Sequence, residues 1–235
     1  MKNVFFIFTL FFSSFLLAED KELTIHVLME DLYPLHYMEN GENIGSSIDL
    51  IKKILKETGL HYTIEMQPWA RAYNTALHKK NTLLISIART KQREALFTWI
   101  GPVIKFNYFL YGLPNTIIDP KMPISALNNY RIAVVRQTAI HHYLKSKNLN
   151  NYQLVSSTEQ AIKMLTAHRV DLVSGMSGIF MENCYRLKLA CKAITPLYKF
   201  KNIITDIHIA MSKSTDKEII HKISIAYQKV LSNNL

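Results

Sequence analysis

Strand patterns and helix patterns alternate along this chain in two successive cycles, separated by a polar, proline-containing stretch at 114–129. The most restrictive segment is Thr82 to Ile87, whose apolar run is typical of a strand buried in a parallel sheet. Strands of this kind that alternate with helices must pack in layers of helix and sheet. The sequence therefore predicts an α/β fold built from two similar halves.

The first half is predicted to contain three strands and two helices. Ser46-x-x-Asp49 has the pattern of a capping box and precedes an apolar helical face, and Gly59 is expected to end that helix. The other predicted elements are the strands Leu23–Met29, Tyr62–Met66 and Thr82–Ile87 and the helix Trp69–His78.

The second half repeats the alternation after an aromatic strand at Phe106–Leu113. Its predicted elements are the strands Arg131–Val135, Gln153–Val155 and Val170–Ser174, a helix at Ala139–Lys145, and a helix capped by Ser157-x-x-Gln160. A late strand at Ile207–Met211 and a helix opened by Thr215-x-x-Glu218 have no partner in this half. We therefore expect residues 19–107 and 206–235 to form lobe 1, and residues 108–205 to form lobe 2.

The N-terminus has the pattern of a secretory signal peptide. Lys2 precedes an apolar run from Val4 to Leu17, and a small residue, Ala18, follows. The run is shorter than the about 20 apolar residues that a membrane-spanning helix needs. We expect a signal peptide at residues 1–18 and a periplasmic mature protein.

The formal net charge of +10 raises the question of an anionic partner. No segment concentrates five or six of the basic residues, however, so a solvated basic surface is the better interpretation. Nucleic acid is not an expected partner, and the mature protein is expected to be a monomer.

Two cysteines occur, Cys184 and Cys191, and in an exported protein a single short disulfide is the natural interpretation, although such a pair could also stay reduced. Seven residues of continuous helix would separate the two Cα atoms by about 10 Å, whereas a disulfide tolerates at most about 7 Å. If the disulfide forms, a helix that starts near Gly178 must end before Cys191.

Common catalytic and metal-binding motifs are absent from the sequence. It contains no G-x-S-x-G, no G-x-x-x-x-G-K-[ST], no G-x-G-x-x-G and no H-E-x-x-H pattern. The adjacent pair His141 and His142 would point to different faces of a helix, which is poor geometry for a shared metal. We expect no catalytic residue, no metal and no cofactor.

The segment 68–102 carries the chemistry most useful for binding. Ligands of open α/β sheets bind at the carboxyl ends of the strands, and Ser86, Ala88, Arg89 and Arg93 end or follow the strand Thr82–Ile87. An arginine fork matches a carboxylate in bidentate fashion. Equally, these arginines could be structural ion-pair partners, with Glu94 nearby, and the aromatic residues Tyr33 and Trp69 could belong to the core.

Several landmarks in a fixed order resemble the bacterial extracellular solute-binding proteins of family 3. These are two-lobed periplasmic binding proteins of type II that serve amino-acid ABC importers. The landmarks are Tyr33-Pro34, Gly45-x-x-x-Asp49-Leu50, Pro68-Trp69, Thr90-x-x-Arg93, the segment 131–138, Ala161-x-x-x-Leu165, Arg169-Val-Asp171 and Ile209-Ala-Met-Ser212.

The resemblance implies a ligand cleft between two lobes and roles for particular residues. In such proteins the arginine of T-x-x-R grips the ligand carboxylate, which corresponds here to Arg93. Aromatic or apolar residues at the positions of Tyr33 and Trp69 enclose the ligand side chain. The hydroxyl of Thr138, at a helix start, would add a hydrogen bond, because helix N-termini favour anions.

One departure from the family concerns the ligand's ammonium group. The family's amino-acid binders carry an acidic residue where this chain has Met176, so an ordinary α-amino acid loses its usual partner. Glu30 could supply the missing charge from the other lobe. Arg71 and Arg89 are further candidates for ligand contact, and the combination of these arginines with Trp69 and Trp99 is typical of a subgroup of unidentified ligand.

The leading functional hypothesis is a receptor that captures a small polar solute, amino-acid-like or an organic anion, and delivers it to the membrane permease of an ABC importer. Two alternatives remain open. One is a periplasmic enzyme of the cyclohexadienyl dehydratase type, for which Glu30 and Asp171 are the candidate acids. The other is a sensory subunit that signals ligand occupancy to a membrane receptor.

Overall fold

The computed structural model describes residues 23–188, 191–201, 203 and 206–233. The predicted signal peptide at residues 1–18 lies outside these residues. The described residues form two five-stranded sheets, each covered by helices, and a two-stranded hairpin.

The first sheet has the strand order β4-β1-β5-β12-β6. Strands β4 and β5 lie parallel to β1, whereas β12 pairs antiparallel with both β5 and β6. We call this sheet and the helices packed on it lobe 1. Its strands are β1 (Thr24–Met29), β4 (His61–Met66), β5 (Thr82–Ala88), β6 (Phe97–Lys105) and β12 (Asp206–Ser212).

The second sheet has the order β11-β7-β10-β8-β9 and repeats the same βαβαβ unit, with β9 and β10 parallel to β8. Strands β7 and β11 add to it antiparallel. We call this sheet and its helices lobe 2. Its strands are β7 (Tyr108–Gly112), β8 (Ile132–Val135), β9 (Tyr152–Val155), β10 (Leu172–Met176) and β11 (Thr195–Lys199).

In the part of the chain that the structure describes, each lobe carries three α-helices. In lobe 1 they are α1 (Ser46–Thr58), α2 (Trp69–His78) and α6 (Lys217–Ser232), and in lobe 2 they are α3 (Ala139–Ser146), α4 (Thr158–Thr166) and α5 (Ile179–Arg186). Helix α6 packs against α1 and β6. A small hairpin of β2 (Tyr37–Glu39) and β3 (Glu42–Ile44) precedes α1, and two short 3-10 helices lie at Ile124–Asn129 and Cys191–Ala193.

Helix ends show where local signals succeed and where they fail. Gly59 ends α1 in the left-handed conformation, with φ of 68°, and Ser157 caps α4 through the N–H of Gln160, as predicted. The capping boxes predicted at Ser46 and Thr215 are wrong by one position, because Gly45 and Asp216 are the capping residues and neither makes a side-chain cap bond.

The cysteines form the predicted short disulfide. Helix α5 ends at Arg186, and the chain returns so that the Cα atoms of Cys184 and Cys191 lie 5.8 Å apart. Both residues are buried in lobe 2. Among the described helices, none combines the length and the apolar character needed to cross a bilayer.

Candidate functional site

The carboxyl ends of the parallel strands of both sheets face a cavity between the lobes. The volume of this cavity is about 60 Å³, which exceeds what a single water molecule needs. Only a small solute fits unless the lobes move apart. The lining residues are Glu30, Leu32, Trp69, Ser86, Ala88, Arg93, Tyr108, Val135, Thr138, Ala139, Ile140, Thr158, Ser174, Gly175, Met176, Ile179, Phe180, Asn183 and Ile207.

Arg93 is the most deeply buried charged side chain of this cavity, with 2% of its surface exposed. A turn after β5 brings the Arg93 side chain back beside the end of that strand. Its Nη1 donates to the backbone carbonyl of Ala88 at 3.1 Å. Its guanidinium carbon lies 4.9 Å from the ring centre of Tyr73 and 5.6 Å from that of Trp69. Burial lowers the pKa of Arg93. The remaining Nε has no hydrogen-bond partner among the described residues.

Trp69 forms the aromatic wall beside Arg93. It is the first residue of α2, is 3% exposed, and packs against Tyr73 with ring centres 5.9 Å apart. Its indole Nε1–H donates to the backbone carbonyl of Gln137 in lobe 2 at 2.9 Å. The ring therefore both lines the cavity and contacts the opposite lobe.

The carbonyl of Gln137 receives a second donor from lobe 1, because Nη2 of Arg93 also donates to it, at 2.6 Å. Gln137 has a positive φ of 63°, and its own N–H donates to Nδ1 of His141 at 3.1 Å. This conformation turns the carbonyl toward lobe 1, where it meets both residues predicted to grip the ligand. One backbone carbonyl of lobe 2 thus accepts hydrogen bonds from both Arg93 and Trp69 of lobe 1.

Glu30, at the end of β1, supplies the only carboxylate of the cavity lining among the described residues. Burial, with a contribution from the charge of Asp31, raises its pKa to about 8, and Arg93 opposes the shift. The neutral, protonated form of the Glu30 carboxyl is therefore favoured more than in an exposed glutamate. Glu30 lies on lobe 1 with Arg93, whereas Met176 lies on lobe 2. A charge from Glu30 would therefore come from the lobe opposite Met176.

Ser86 has an unusual backbone for a strand residue, with a positive φ of 65°. Its side chain is 8% exposed and lines the cavity, and its hydroxyl has no hydrogen-bond partner among the described residues. A buried hydroxyl without a partner is costly. Ser86 and Arg93 are thus two cavity-lining residues that each have a buried polar atom without a hydrogen-bond partner among the described residues.

Lobe 2 contributes a mostly apolar wall with a helix start at its edge. Thr138 caps α3, where its hydroxyl accepts from the N–H of His141 at 3.4 Å and donates to the carbonyl of Val135 at 2.7 Å. Met176 ends β10 beside Gly175, and behind them Phe180 stacks on Tyr111 with ring centres 4.0 Å apart.

Seven of the ten predicted ligand-binding residues line this cavity: Glu30, Trp69, Ser86, Ala88, Arg93, Thr138 and Met176. Three lie elsewhere. Arg71 is exposed on α2. Arg89 forms a two-bond ion pair with Glu94, at 2.9 and 2.5 Å, and lies over Trp99. Tyr33 packs on Tyr37, outside the cavity.

Asp171, the second acid of the enzyme alternative, is also absent from the cavity lining. Arg131 holds its carboxylate at 2.6 Å on the surface of lobe 2, and this pairing lowers the pKa of Asp171. The site contains other residues that sequence analysis missed, notably Gln137, Tyr108 and Asn183. Gln137 acts through its backbone carbonyl, so no side-chain pattern could have revealed it.

Comparisons with known proteins agree with this architecture. Residues 25–117 match the family model of bacterial extracellular solute-binding proteins, family 3. A search of curated proteins finds no significant match.

Solved structures share the fold over nearly the whole chain. A histidine kinase sensor domain with similarity to periplasmic binding proteins superposes with a TM-score of 0.77 at 16% identity, covering 92% of this chain and 93% of that one. The arginine-, lysine-, histidine-binding protein ArtJ of Geobacillus stearothermophilus gives 0.76 at 19% identity, covering 90% of each chain. An ancestral arginine-binding protein bound to arginine gives 0.75 at 18% identity, covering 90% and 93%.

The family match over residues 25–117, together with the two-lobed fold, confirms the predicted resemblance to the bacterial extracellular solute-binding proteins of family 3.

Proposed function

We propose that this protein is a periplasmic receptor that closes its two lobes around a small solute with an anionic group. The observation that carries the proposal is Arg93, a buried cation between aromatic rings that lines a cavity shared by both lobes and whose Nε has no hydrogen-bond partner among the described residues. A buried charge is tolerated only where it is paired or hydrogen-bonded. An incoming carboxylate would complete that pairing.

The ligand's anionic group is expected to accept from Arg93 and Ser86 and to replace the carbonyl of Gln137 as the acceptor of Nη2. Trp69 would cover its apolar part. If the ligand also carries an ammonium group, Glu30 is the acidic residue available in the described cavity lining, because Met176 cannot serve, and the ammonium would favour the ionised form of its carboxyl. An amino-acid-like zwitterion and a small organic anion both satisfy this arrangement.

Entry of the ligand requires the lobes to separate, since direct bonds from Arg93 and Trp69 to Gln137 now join them. Opening by a hinge is common in two-lobed binding proteins. We retain the predicted boundaries, residues 19–107 with 206–235 and residues 108–205, as part of the proposal. Both proposed crossings fall in connections between the sheets, namely from β6 to β7 and from β11 to β12.

The proposed partner is the membrane permease of an ABC importer, and the proposed export signal is the segment 1–18. Support for this comes from the family, whose members are extracellular solute-binding proteins. The proposed mature form is a monomer without catalytic activity. A sensory role is the second candidate, because a histidine kinase sensor domain is among the similar structures. In that role the same closed form would contact a membrane receptor.

A thermal-shift screen tests the binding function. The mature protein would be unfolded in the presence of amino acids, polyamines and small organic acids, since a ligand that binds only the folded state raises its stability by mass action. We expect stabilisation by compounds that carry a carboxylate and none by polyamines. Stabilisation by polyamines alone would contradict the anion-clamp proposal. Ligand-dependent stimulation of a reconstituted permease would then favour transport over sensing.

A further inference from the structure

One face of helix α5 forms part of the lobe 2 wall of the ligand cavity. Ile179, Phe180 and Asn183 all line the cavity, because residues three and four positions apart lie on the same side of a helix. Asn183 is the polar member of this set and is only 3% exposed. The next residue, Cys184, ties α5 to Cys191 through the disulfide. Asn183 is therefore a buried amide on a covalently tethered helix in the binding site.

The orientation of the Asn183 amide follows from its neighbour Arg186. Nη2 of Arg186 lies 3.3 Å from the amide oxygen Oδ1 and donates a hydrogen bond to it. A guanidinium has donors and no acceptor, so the oxygen of the amide, and not its nitrogen, must be the atom next to Arg186. The same Nη2 donates to the carboxylate of Asp31 at 2.7 Å, a second bond that fixes the guanidinium.

The two N–H donors of the amide nitrogen Nδ2 are left over by this bond. Among the described residues, no group accepts a hydrogen bond from them. A buried polar group without a partner is costly, so an amide with this little exposure is expected to have a use for its donors. Hydrogen bonds also polarise one another, and the bond from Arg186 therefore strengthens the donors at the other end of the amide. An acceptor oxygen is the group that fits them.

The surroundings of Asn183 favour an oxygen over an ammonium group. Ile179 and Phe180, its neighbours on the cavity face of α5, are apolar, and the described cavity lining of lobe 2 contains no carboxylate. The amide oxygen of Asn183, which could accept from an ammonium, already accepts from Arg186. A ligand group next to Asn183 is therefore expected to be a carboxylate, carbonyl or hydroxyl oxygen.

We propose that Asn183 is a specificity-determining residue that binds a second acceptor oxygen of the ligand. The inference rests on the proposed solute-binding function, in which Arg93 holds the anionic group from lobe 1. With Asn183 donating from lobe 2, the preferred solute is a small acid with two oxygen-bearing groups. Dicarboxylates, hydroxy and oxo acids, and amino acids with an oxygen in the side chain belong to this class. An acid with a plain alkyl chain leaves Nδ2 without a partner.

Matched pairs of solutes test the inference on the unsubstituted mature protein. Butyrate is compared with succinate, propionate with lactate and alanine with serine, because the members of each pair differ in one oxygen-bearing group. Dissociation constants are measured by calorimetry. In the pair that binds most tightly, the member with the additional oxygen should bind at least about tenfold more tightly, because a site built to hydrogen-bond a ligand group rejects the analogue that lacks it.

Two substitutions assign this preference to Asn183. Asn183→Leu removes the donors, and it should weaken binding of the oxygen-bearing member by about tenfold or more while its alkyl partner changes little. Asn183→Asp keeps the size of the side chain and an oxygen for Arg186 but replaces the donors by an acceptor, so it should weaken binding at least as much. Asn150→Asp is the matched control: it makes the same change in charge at an exposed position outside the cavity, and its affinity should equal that of the unsubstituted protein.

Equal affinities within the pairs, with binding still lost in Arg93→Ala, would overturn this inference and leave the proposed function in place. Tighter binding by Asn183→Asp would overturn it too, because an acceptor at this position would then suit the ligand better than a donor. If Asn183→Leu does not fold, Asn183→Asp, which retains the oxygen next to Arg186, decides between these results. If no acid of the thermal-shift screen binds, the proposed function fails and this inference fails with it.

Discussion

Replacement of Arg93 by alanine should weaken ligand binding by about tenfold to a hundredfold. Arg93 now donates Nη1 to Ala88 and Nη2 to Gln137, and its Nε is unused. A bound carboxylate would replace the Gln137 carbonyl as the acceptor of the hydrogen bond from Nη2. It would also accept a new charge-assisted hydrogen bond from Nε. One hydrogen bond to a charged group is worth about 1.5–3 kcal/mol, and 1.4 kcal/mol is about a factor of ten.

The assay is isothermal titration calorimetry on the mature protein with the compound that gives the largest thermal shift. Arg93→Lys should lose much of the affinity as well, because an ammonium lacks the planar fork of donors. Arg89→Ala is the matched control, since Arg89 pairs with Glu94 outside the cavity. Wild-type affinity in Arg93→Ala would refute the reasoning, and a loss confined to Arg89→Ala would move the anion site to that residue.

Three further predictions concern stability. Because the pKa of Glu30 is raised to about 8, this carboxyl keeps its proton in the folded state at pH values where it has lost it in the unfolded state. The free energy of unfolding should therefore fall as pH rises toward about 8. The buried His36, whose pKa is lowered to about 4, has the opposite effect, but only below its unfolded pKa of about 6.5. Denaturation of Glu30→Gln between about pH 7 and 8 should therefore show a flatter profile than wild type, and equal slopes would contradict the assignment. The denatured, unreduced mature protein should contain no titratable thiol, and Cys184→Ser with Cys191→Ser should lower the free energy of unfolding by roughly 2–3 kcal/mol on the chain-entropy model; two free thiols would disprove the disulfide. Gly175→Ala should destabilise by about 1–3 kcal/mol, because the new Cβ would lie 2.4 Å from the ring of the buried Phe180, and an unchanged urea midpoint would contradict this packing.

Local patterns predicted most of the helices and the buried strands. Helix α2 occupies Trp69–His78 as predicted, and β5 extends the predicted run by one residue. Strand β6 was missed, because Gly101-Pro102 in its middle has the pattern of a chain breaker. The structure explains the exception: β6 is an edge strand of its sheet, where a proline needs no hydrogen-bond partner on the free side.

The cavity could be predicted only in part. Arg93 and Trp69 follow from their motif positions, and the structure places both at the cavity. The location of Tyr33 depends on a partner that its side chain reaches across the fold, Arg186. That contact depends on tertiary packing, and no spacing along the chain specifies it. Arg89 instead pairs with Glu94, the nearby residue that the sequence already offered as an alternative to a role in binding.

A crystal structure of the mature protein with its thermal-shift ligand tests the central claim most directly. The account predicts the ligand between the lobes, with its anionic group within hydrogen-bond distance of Nε and Nη2 of Arg93 and its apolar part against Trp69. The carbonyl of Gln137 should no longer accept from Nη2. A ligand bound outside this cavity, for example in the surface groove beside Arg89 and His208, with Arg93 still bonded to Gln137, would contradict the account.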